Sequence, residues 1–189
     1  LIALVNEGVI SEERIDESVR RILRLKKELG LFERPGPDFL PADRFATAEA
    51  QVLNRQAARD AMTLLKNEGG LLPLQKNQRV LVTGPTARSL TALNGGWTYT
   101  WQGQDSTYAT FYDDAPTIYD AVRQQVGGQH VRYAPGTTFE AEIDVASAVA
   151  LAGQVDVAVV CVGEDAYAEK PGDIDDLTLP QAQLQLIEA

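Results

Sequence analysis

Apolar residues repeat at near-helical spacing along the first 30 residues of the chain. The repeat consists of Ile15, Val19, Ile22 and Leu29. Ser11 precedes it with a side chain that can cap a helix start, and Gly30 follows it as a residue that commonly ends a helix. The pattern predicts a helix over residues 11–29. Because a lone amphipathic helix cannot bury its apolar side, this helix must cover another surface.

Three prolines and one glycine interrupt the pattern over residues 31–45. This composition predicts an extended linker. Helical spacing returns over residues 47–66, where one side carries Leu53, Ala57, Ala61 and Leu64. We therefore divide the chain into residues 1–30, a linker at 31–45, and a second domain at 46–189.

Short β-rich runs alternate with helical segments from residue 78 onward, in the order RVLVTG, TIYDAVRQQV, HVRYAPG, residues 141–153 and VDVAVVCVGE. This βαβαβ order predicts an α/β fold, a three-layer α/β/α sandwich with a mostly parallel sheet. The apolar runs at 80–82 and 157–162 predict strands covered on both faces. A new helix starts near Pro180, and three strands make a small sheet, so we expect the domain to be truncated at its C-terminus.

Two long connections follow strands of the predicted sheet, at residues 84–116 and 163–179. Structural connections between a strand and a helix usually take only about two to six residues. In parallel sheets, the loops after the C-terminal ends of the strands line the ligand crevice. We therefore expect both loops to leave the same edge of the sheet and to converge on one site.

The first long loop contains both tryptophans of the chain, Trp97 and Trp101, together with Tyr99 and the amide side chains of Asn94 and Gln102. Aromatic faces with directional hydrogen-bonding groups suit a sugar, which has apolar C–H faces and polar hydroxyls. Carbohydrate is therefore the ligand that matches this loop best. The alternative is that one or both indoles fill a hydrophobic seam under the loop.

The second long loop is acidic and carries Glu164, Asp165, Glu169, Asp173, Asp175 and Asp176. Neighbouring carboxylates disfavour one another's ionisation, so one of them can stay protonated and act as a general acid. The alternative is a solvated acidic surface, which is the commoner reason for such a composition.

The net charge of −10, from 17 basic and 27 acidic residues, repels nucleic acid and anionic lipid surfaces. We expect neither as a partner. Cys161 lies in an apolar run that indicates a buried strand position, and His130 begins the predicted second strand, at the edge opposite the proposed crevice. With one histidine, one cysteine and no glycine-rich phosphate motif, we expect no metal site and no cofactor.

Four blocks of the sequence resemble glycoside hydrolase family 3, the β-glucosidases and exo-β-glucanases. In order they are EGVISEERIDESVRRILRLKKELGLFE, AARDAMTLLKNEGGLLPL, GGWTYTWQG and VGEDAYAEKPGDIDDLTLP. The resemblance implies a (β/α)8 barrel, a linker and an α/β sandwich, with the active site between the two domains. Residues 1–30 would then be the C-terminal helix of the barrel, and the barrel would be the partner of residues 46–189.

The resemblance also implies a retaining mechanism on terminal non-reducing β-D-glucosyl residues of a β-glucoside or β-glucan oligosaccharide. The glutamate after Tyr167, Glu169, matches the family's general acid/base, and Tyr167 and the neighbouring Glu164 would bind substrate. Trp101 matches the tryptophan that stacks on the sugar beyond the cleaved bond, and Trp97 would flank it. The nucleophile, an aspartate of the barrel, has no counterpart in this sequence, so the chain alone should be inactive.

Two other functions stay open at this point. The first is a non-catalytic α/β module that binds carbohydrate or docks a partner through the aromatic loop. The second is a β-xylosidase of the same family. Many members of the family are periplasmic or secreted, so the resemblance favours such a location over a cytoplasmic one. The sequence itself does not identify the compartment.

Overall fold

A computed structural model describes residues 1–36, 42–98, 100–103 and 115–189 of the chain. The chain divides into two compact units, Leu1–Lys66 and Asn67–Ala189. Part of the predicted linker, residues 37–41, lies outside the described residues, as do Tyr99 and residues 104–114 of the first long loop.

The first unit contains three α-helices in its described part, α1 (Ile2–Asn6), α2 (Glu12–Glu28) and α3 (Ala48–Ala61). The Ser11 side chain accepts a hydrogen bond from the backbone N–H of Arg14 at 3.2 Å, which confirms the predicted cap of α2. No residue of α2 is buried, and Val19, Ile22 and Leu29 of the apolar stripe are exposed. The stripe is therefore available to a covering surface.

The prediction that a helix extends over residues 47–66 is wrong at its end. Helix α3 stops at Ala61 because Met62 has extended dihedral angles, φ −74° and ψ 124°. The next residue, Thr63, is β-branched and favours extended structure over helix. Leu64 is consequently exposed on a non-helical segment.

The second unit is built on a parallel sheet of three strands in the described residues, with the order β2-β1-β3. The strands are β1 (Val80–Thr83), β2 (Val131–Ala134) and β3 (Val157–Val160). In the part of the unit that the structure describes, four α-helices accompany them, α4 (Leu90–Asn94), α5 (Ile118–Val126), α6 (Val145–Ala152) and α7 (Gln181–Glu188). Among the residues that the structure describes, no helix is long and apolar enough to cross a membrane.

Helices cover both faces of the sheet, which confirms the three-layer α/β/α architecture. On one face, Ile118, Val122 and Val126 of α5 pack in a cluster that includes Val80 and Val82 of β1. On the other face, Ala148 of α6 and Leu186 of α7 pack with Ala134 of β2. The core therefore lies between β1 and these two helical layers.

The central strand is covered on both faces as predicted, but the edge strand is not. Every residue of β1 is buried, whereas Ala158 and Val160 of β3 are exposed. These two residues line an apolar groove of about 140 Å³, with α6 and α7 along its other side. The apolar run at 157–162 does not distinguish a central strand from an edge strand, because a strand in either place can carry apolar residues on both of its sides.

An ion pair joins the starts of β1 and β3. The Asp156 carboxylate accepts from the backbone N–H of Arg79 at 2.8 Å and from its guanidinium at 2.6 Å and 3.2 Å. The side-chain and backbone hydrogen bonds from Arg79 lower the pKa of Asp156 to about 2. The pairing thus depends on an ionised carboxylate.

We expect this pair to stabilise the fold only while Asp156 is ionised. Its folded pKa of about 2 lies below the unfolded value of about 3.9, so the contribution is complete above pH 4 and is lost as the pH falls towards 2. Urea unfolding of the wild type and of Asp156→Asn should therefore differ above pH 4 and converge in more acidic solution. A difference that stays constant from pH 6 to pH 2 would contradict this assignment.

Candidate active site

The two long loops begin side by side at the C-terminal edge of the sheet. Thr83 ends β1 opposite Val160, which ends β3, and the Cys161 N–H donates to the Thr83 carbonyl at 2.8 Å. A Cβ placed on Gly84 would lie 2.2 Å from the Cys161 carbonyl oxygen, so only glycine allows this approach. The prediction that both loops leave the same edge is confirmed.

Cys161 lies immediately after β3 and is buried, as the sequence predicted. Burial raises the pKa of its thiol above the usual value. A buried thiol that stays protonated is a poor nucleophile, so Cys161 serves in packing at this edge.

A glutamine from the first loop binds the backbone of the second. The Gln102 side-chain oxygen accepts from the Ala168 N–H at 2.9 Å, and its NH₂ group donates to the Ala168 carbonyl at 3.2 Å. Trp101 and Glu169 are each one residue away from this contact. The sequence-based expectation that the loops converge is therefore confirmed at Ala168, across 66 positions of the chain.

A glycine of the first loop makes this convergence possible. A Cβ placed on Gly96 would lie 2.7 Å from the Tyr167 carbonyl oxygen and 2.8 Å from the Cβ of Ala168. Real side chains essentially never approach that closely, so the backbone of Gly96 rests directly on residues 167 and 168. The first loop thus touches the second beside Glu169.

The segment that leads to Glu169 alternates between buried and exposed positions. Ala166 and Ala168 are buried, whereas Asp165, Tyr167 and Glu169 are exposed. This period of two is typical of an extended chain with one side on the protein and the other in solvent. The small alanines let the chain lie close to its neighbours, and Glu169 consequently presents its carboxyl group outward.

Glu169 occupies a turn with unusual backbone angles. Its φ of 57° and ψ of −131° are costly for a residue with a Cβ. The turn continues into a short 3-10 helix, Lys170–Gly172, and the Gly172 N–H donates to the Glu169 carbonyl at 2.8 Å. Such backbone strain persists only where surrounding contacts fix the chain, and it is concentrated at functional sites.

Tyr167 stabilises this turn from its exposed side. A Cβ placed on Gly172 would lie 2.8 Å from the Tyr167 ring, so the ring packs on that glycine. The Tyr167 hydroxyl donates a hydrogen bond to the Glu164 carboxylate. This bond and the nearby negative charge raise the pKa of Tyr167. The contacts of Tyr167 and Glu164 in this structure order the loop, and their predicted role in binding substrate stays a prediction.

Another acid of the loop has a structural partner. The Asp176 carboxylate accepts from the backbone N–H of Thr178 at 2.9 Å and from its hydroxyl at 2.7 Å. These bonds lower the pKa of Asp176. In this structure the Asp176 carboxylate therefore caps the turn at Thr178.

Both indoles of the first loop are open to solvent. Trp97 is 65% exposed and Trp101 is 58% exposed, so neither fills a hydrophobic seam. The backbone N–H of Trp97 donates to the backbone carbonyl of Trp101 at 2.9 Å, which holds the two residues near each other. Together they present two exposed aromatic side chains that a sugar can contact.

The amide side chains of this loop are used differently from the sequence-based expectation. The Asn94 amide donates to the Leu90 carbonyl at 2.7 Å, and Gln102 binds Ala168. Both were expected to offer hydrogen bonds to a sugar, but they hold backbone groups instead. Gln102 is thus a residue that builds the site, a role that sequence reasoning missed because its partner lies in a distant loop.

Comparison with known proteins gives a consistent result. Residues 62–189 match the family model of the glycosyl hydrolase family 3 C-terminal domain. A lysosomal β-glucosidase of Dictyostelium discoideum is 38% identical across the whole chain, which spans 24% of that protein. The chain thus spans about a quarter of the length of this curated relative.

Two solved structures are similar along nearly the whole chain. A β-glucosidase from Listeria innocua in complex with glucose has a TM-score of 0.78 and 30% identity, and the match covers 97% of this chain and 24% of that one. An exo-1,3/1,4-β-glucanase from a Pseudoalteromonas species has a TM-score of 0.72 and 31% identity, with coverages of 98% and 23%. The family model matches more than half of the residues of this chain, and the chain therefore belongs to glycosyl hydrolase family 3.

Proposed function

We propose that this chain supplies the general acid/base, Glu169, and a sugar-binding aromatic face, Trp101, to a retaining β-glycosidase that removes terminal β-D-glucosyl residues. The observation that carries the proposal is the contact between Gln102 and Ala168. It fixes the residue after Trp101 to the residue before Glu169, and both functional side chains are exposed at that place.

Glu169 suits the role of a proton donor that works with a second carboxyl group. Retaining enzymes hold two carboxyl groups about 5 to 5.5 Å apart, one as nucleophile and one as acid/base. In the first step, the Glu169 carboxyl group would give its proton to the leaving oxygen while the nucleophile forms its bond to the sugar. In the second step, the Glu169 carboxylate would take a proton from the water molecule that releases the sugar from the nucleophile.

The partner carboxylate comes from a (β/α)8 barrel in this proposal. Residues 1–30 would add helix α2 to that barrel, residues 31–45 would link the two domains, and residues 46–189 would form the sandwich. The exposed apolar stripe of α2 supports this arrangement, since it offers the surface that a barrel would cover. The linker would let the sandwich bring Glu169 over the barrel's aspartate.

The aromatic residues would act on the sugar beyond the cleaved bond. Trp101 would stack on the apolar face of that sugar, and Trp97 would flank it. Tyr167 and Glu164 would border the same subsite, since their hydrogen bond adjoins the turn of Glu169. The similarity to a β-glucosidase solved with glucose supports glucose as the sugar.

The proposal is tested by trapping the covalent intermediate in the full-length enzyme that contains this segment. A 2-deoxy-2-fluoro-β-glucoside with a dinitrophenolate leaving group should label an aspartate outside residues 1–189. The Glu169→Gln variant should be labelled as well, because this leaving group needs no protonation. A label on Glu169 itself, or a first product of α configuration, would contradict the proposal. Faster labelling by the corresponding xyloside would show that the enzyme prefers xylose to glucose.

A further inference from the structure

A fully buried glutamine lies beneath the acidic loop. Gln183, in the first turn of α7, has 0% of its surface exposed. Its side-chain oxygen accepts from the Gly163 N–H at 2.9 Å, and its NH₂ group donates to the carbonyls of Gly163 and Phe139, also at 2.9 Å. Both amide hydrogens and the oxygen are therefore used.

These bonds join three separate parts of the second unit. Gly163 starts the acidic loop after β3, Phe139 belongs to the connection after β2, and Gln183 belongs to the helix that follows the acidic loop. Burying an amide costs free energy unless it is hydrogen-bonded, and an apolar side chain would fill the same space without that requirement. A saturated buried amide instead fixes the positions of the backbone groups that it binds.

The acidic loop is thus held at two points that precede Glu169 in the chain. Gln183 binds Gly163, and Gln102 binds Ala168. The five residues from Glu164 to Ala168 lie between Gly163 and Glu169. The two glutamines use the same chemistry, since each accepts from the N–H and donates to the C=O of a single loop residue. Two amides therefore hold the backbone of the segment that leads to Glu169.

We propose that Gln183 is a positioning residue for the acid/base glutamate, an inference that rests on the proposed function of Glu169. Without the amide, Gly163 loses both of its hydrogen bonds to the Gln183 side chain, and the base of the loop shifts. A displacement of about 1 Å at a catalytic group can cost about 100-fold in rate. The loss should fall on the step that needs proton transfer, because Gln183 does not touch the sugar subsite.

The test uses kcat/KM of the full-length enzyme for two glucosides that differ in their need for protonation. Gln183→Met removes the amide and keeps a side chain of similar length. We expect its kcat/KM for an alkyl β-glucoside to fall about 10- to 100-fold, while that for dinitrophenyl β-glucoside falls less than about threefold, as does its affinity for glucose. Equal losses on both substrates would indicate a merely structural role and overturn the proposal.

Two further variants keep the test decisive. Leu186→Val alters packing in the same helix without touching the loop, and it should affect both substrates alike. Gln183→Glu keeps the acceptor for Gly163, and its protonated form can donate to one carbonyl, so it should retain more alkyl-glucoside activity than Gln183→Met. If Gln183→Glu is no better than Gln183→Met, or if Leu186→Val shows the same substrate dependence, the inference is wrong.

Glu169→Gln in the same assay separates this inference from the proposed function. If Glu169→Gln loses activity on the alkyl glucoside alone and Gln183→Met does not, the positioning role fails while Glu169 keeps its assignment. If Glu169→Gln shows no dependence on the leaving group, the proposed function itself fails.

Discussion

Glu169→Gln is expected to lower kcat/KM for an alkyl β-glucoside by about 10² to 10⁴-fold, the usual contribution of general acid catalysis. The amide keeps the size and hydrogen-bonding capacity of the side chain, but it cannot give a proton to the leaving oxygen. With dinitrophenyl β-glucoside the first step should be almost unaffected, because dinitrophenolate leaves without protonation. The measurement is a comparison of kcat/KM across leaving groups in the full-length enzyme.

A matched control for this variant is available in the same loop. Asp176→Asn also neutralises one acid, but the Asp176 carboxylate is hydrogen-bonded to Thr178 rather than presented at the turn. We expect its kcat/KM for both substrates to stay within about threefold of the wild type, because it transfers no proton in the reaction. A Glu169→Gln enzyme that stays within about tenfold of the wild type on the alkyl glucoside would remove Glu169 from the acid/base role.

The second large effect is expected from Gly84→Ala, through stability. The φ of Gly84 is 99°, and a Cβ there would lie 2.2 Å from the Cys161 carbonyl oxygen. The unfavourable backbone angle costs about 1–2 kcal/mol, and the overlap adds about 1–3 kcal/mol. Urea titration of the chain should therefore show a free energy of unfolding lower by about 3 kcal/mol. The added methyl group would also push the bases of the two loops apart.

Gly153→Ala provides the comparison for this stability effect. Gly153 has φ −65° and ψ −9°, which alanine adopts readily, and its nearest possible contact is 3.8 Å away. We expect its free energy of unfolding to stay within about 0.5 kcal/mol of the wild type. If Gly84→Ala is equally mild, the close approach of Gly84 to Cys161 does not hold the two strand ends together.

The parts of the fold that the sequence predicted are those that depend on local patterns. The apolar run before Gly84 predicts β1, and the cap at Ser11 predicts the start of α2, since both signals lie within a few residues. The end of α3 was missed because the helical spacing of apolar residues continues through Leu64, whereas the helical backbone ends at Ala61. The exposure of Val160 was missed because strand order is a property of the whole sheet.

The site was predictable only in part, for a related reason. The residues themselves indicated an acidic loop and an aromatic loop at one edge, and the family resemblance selected Glu169 among six acids. The amides that assemble the site were not recognised, because Gln102 and Gln183 bind backbone groups 66 and 20 positions away. A hydrogen bond to a distant backbone group leaves no periodic signal in a single sequence.

In the proposed enzyme, Glu169 and Trp101 share one rim of a cleft, and a partner carboxylate completes the reaction there. The most direct test is a crystal structure of the full-length enzyme with the fluoroglucosyl intermediate bound. We predict that the Glu169 carboxyl group lies about 5 to 5.5 Å from the carboxyl group that carries the sugar, with the Trp101 indole beside the leaving-group subsite. A separation of about 6.5 Å or more, or an indole turned away from that subsite, would contradict the account.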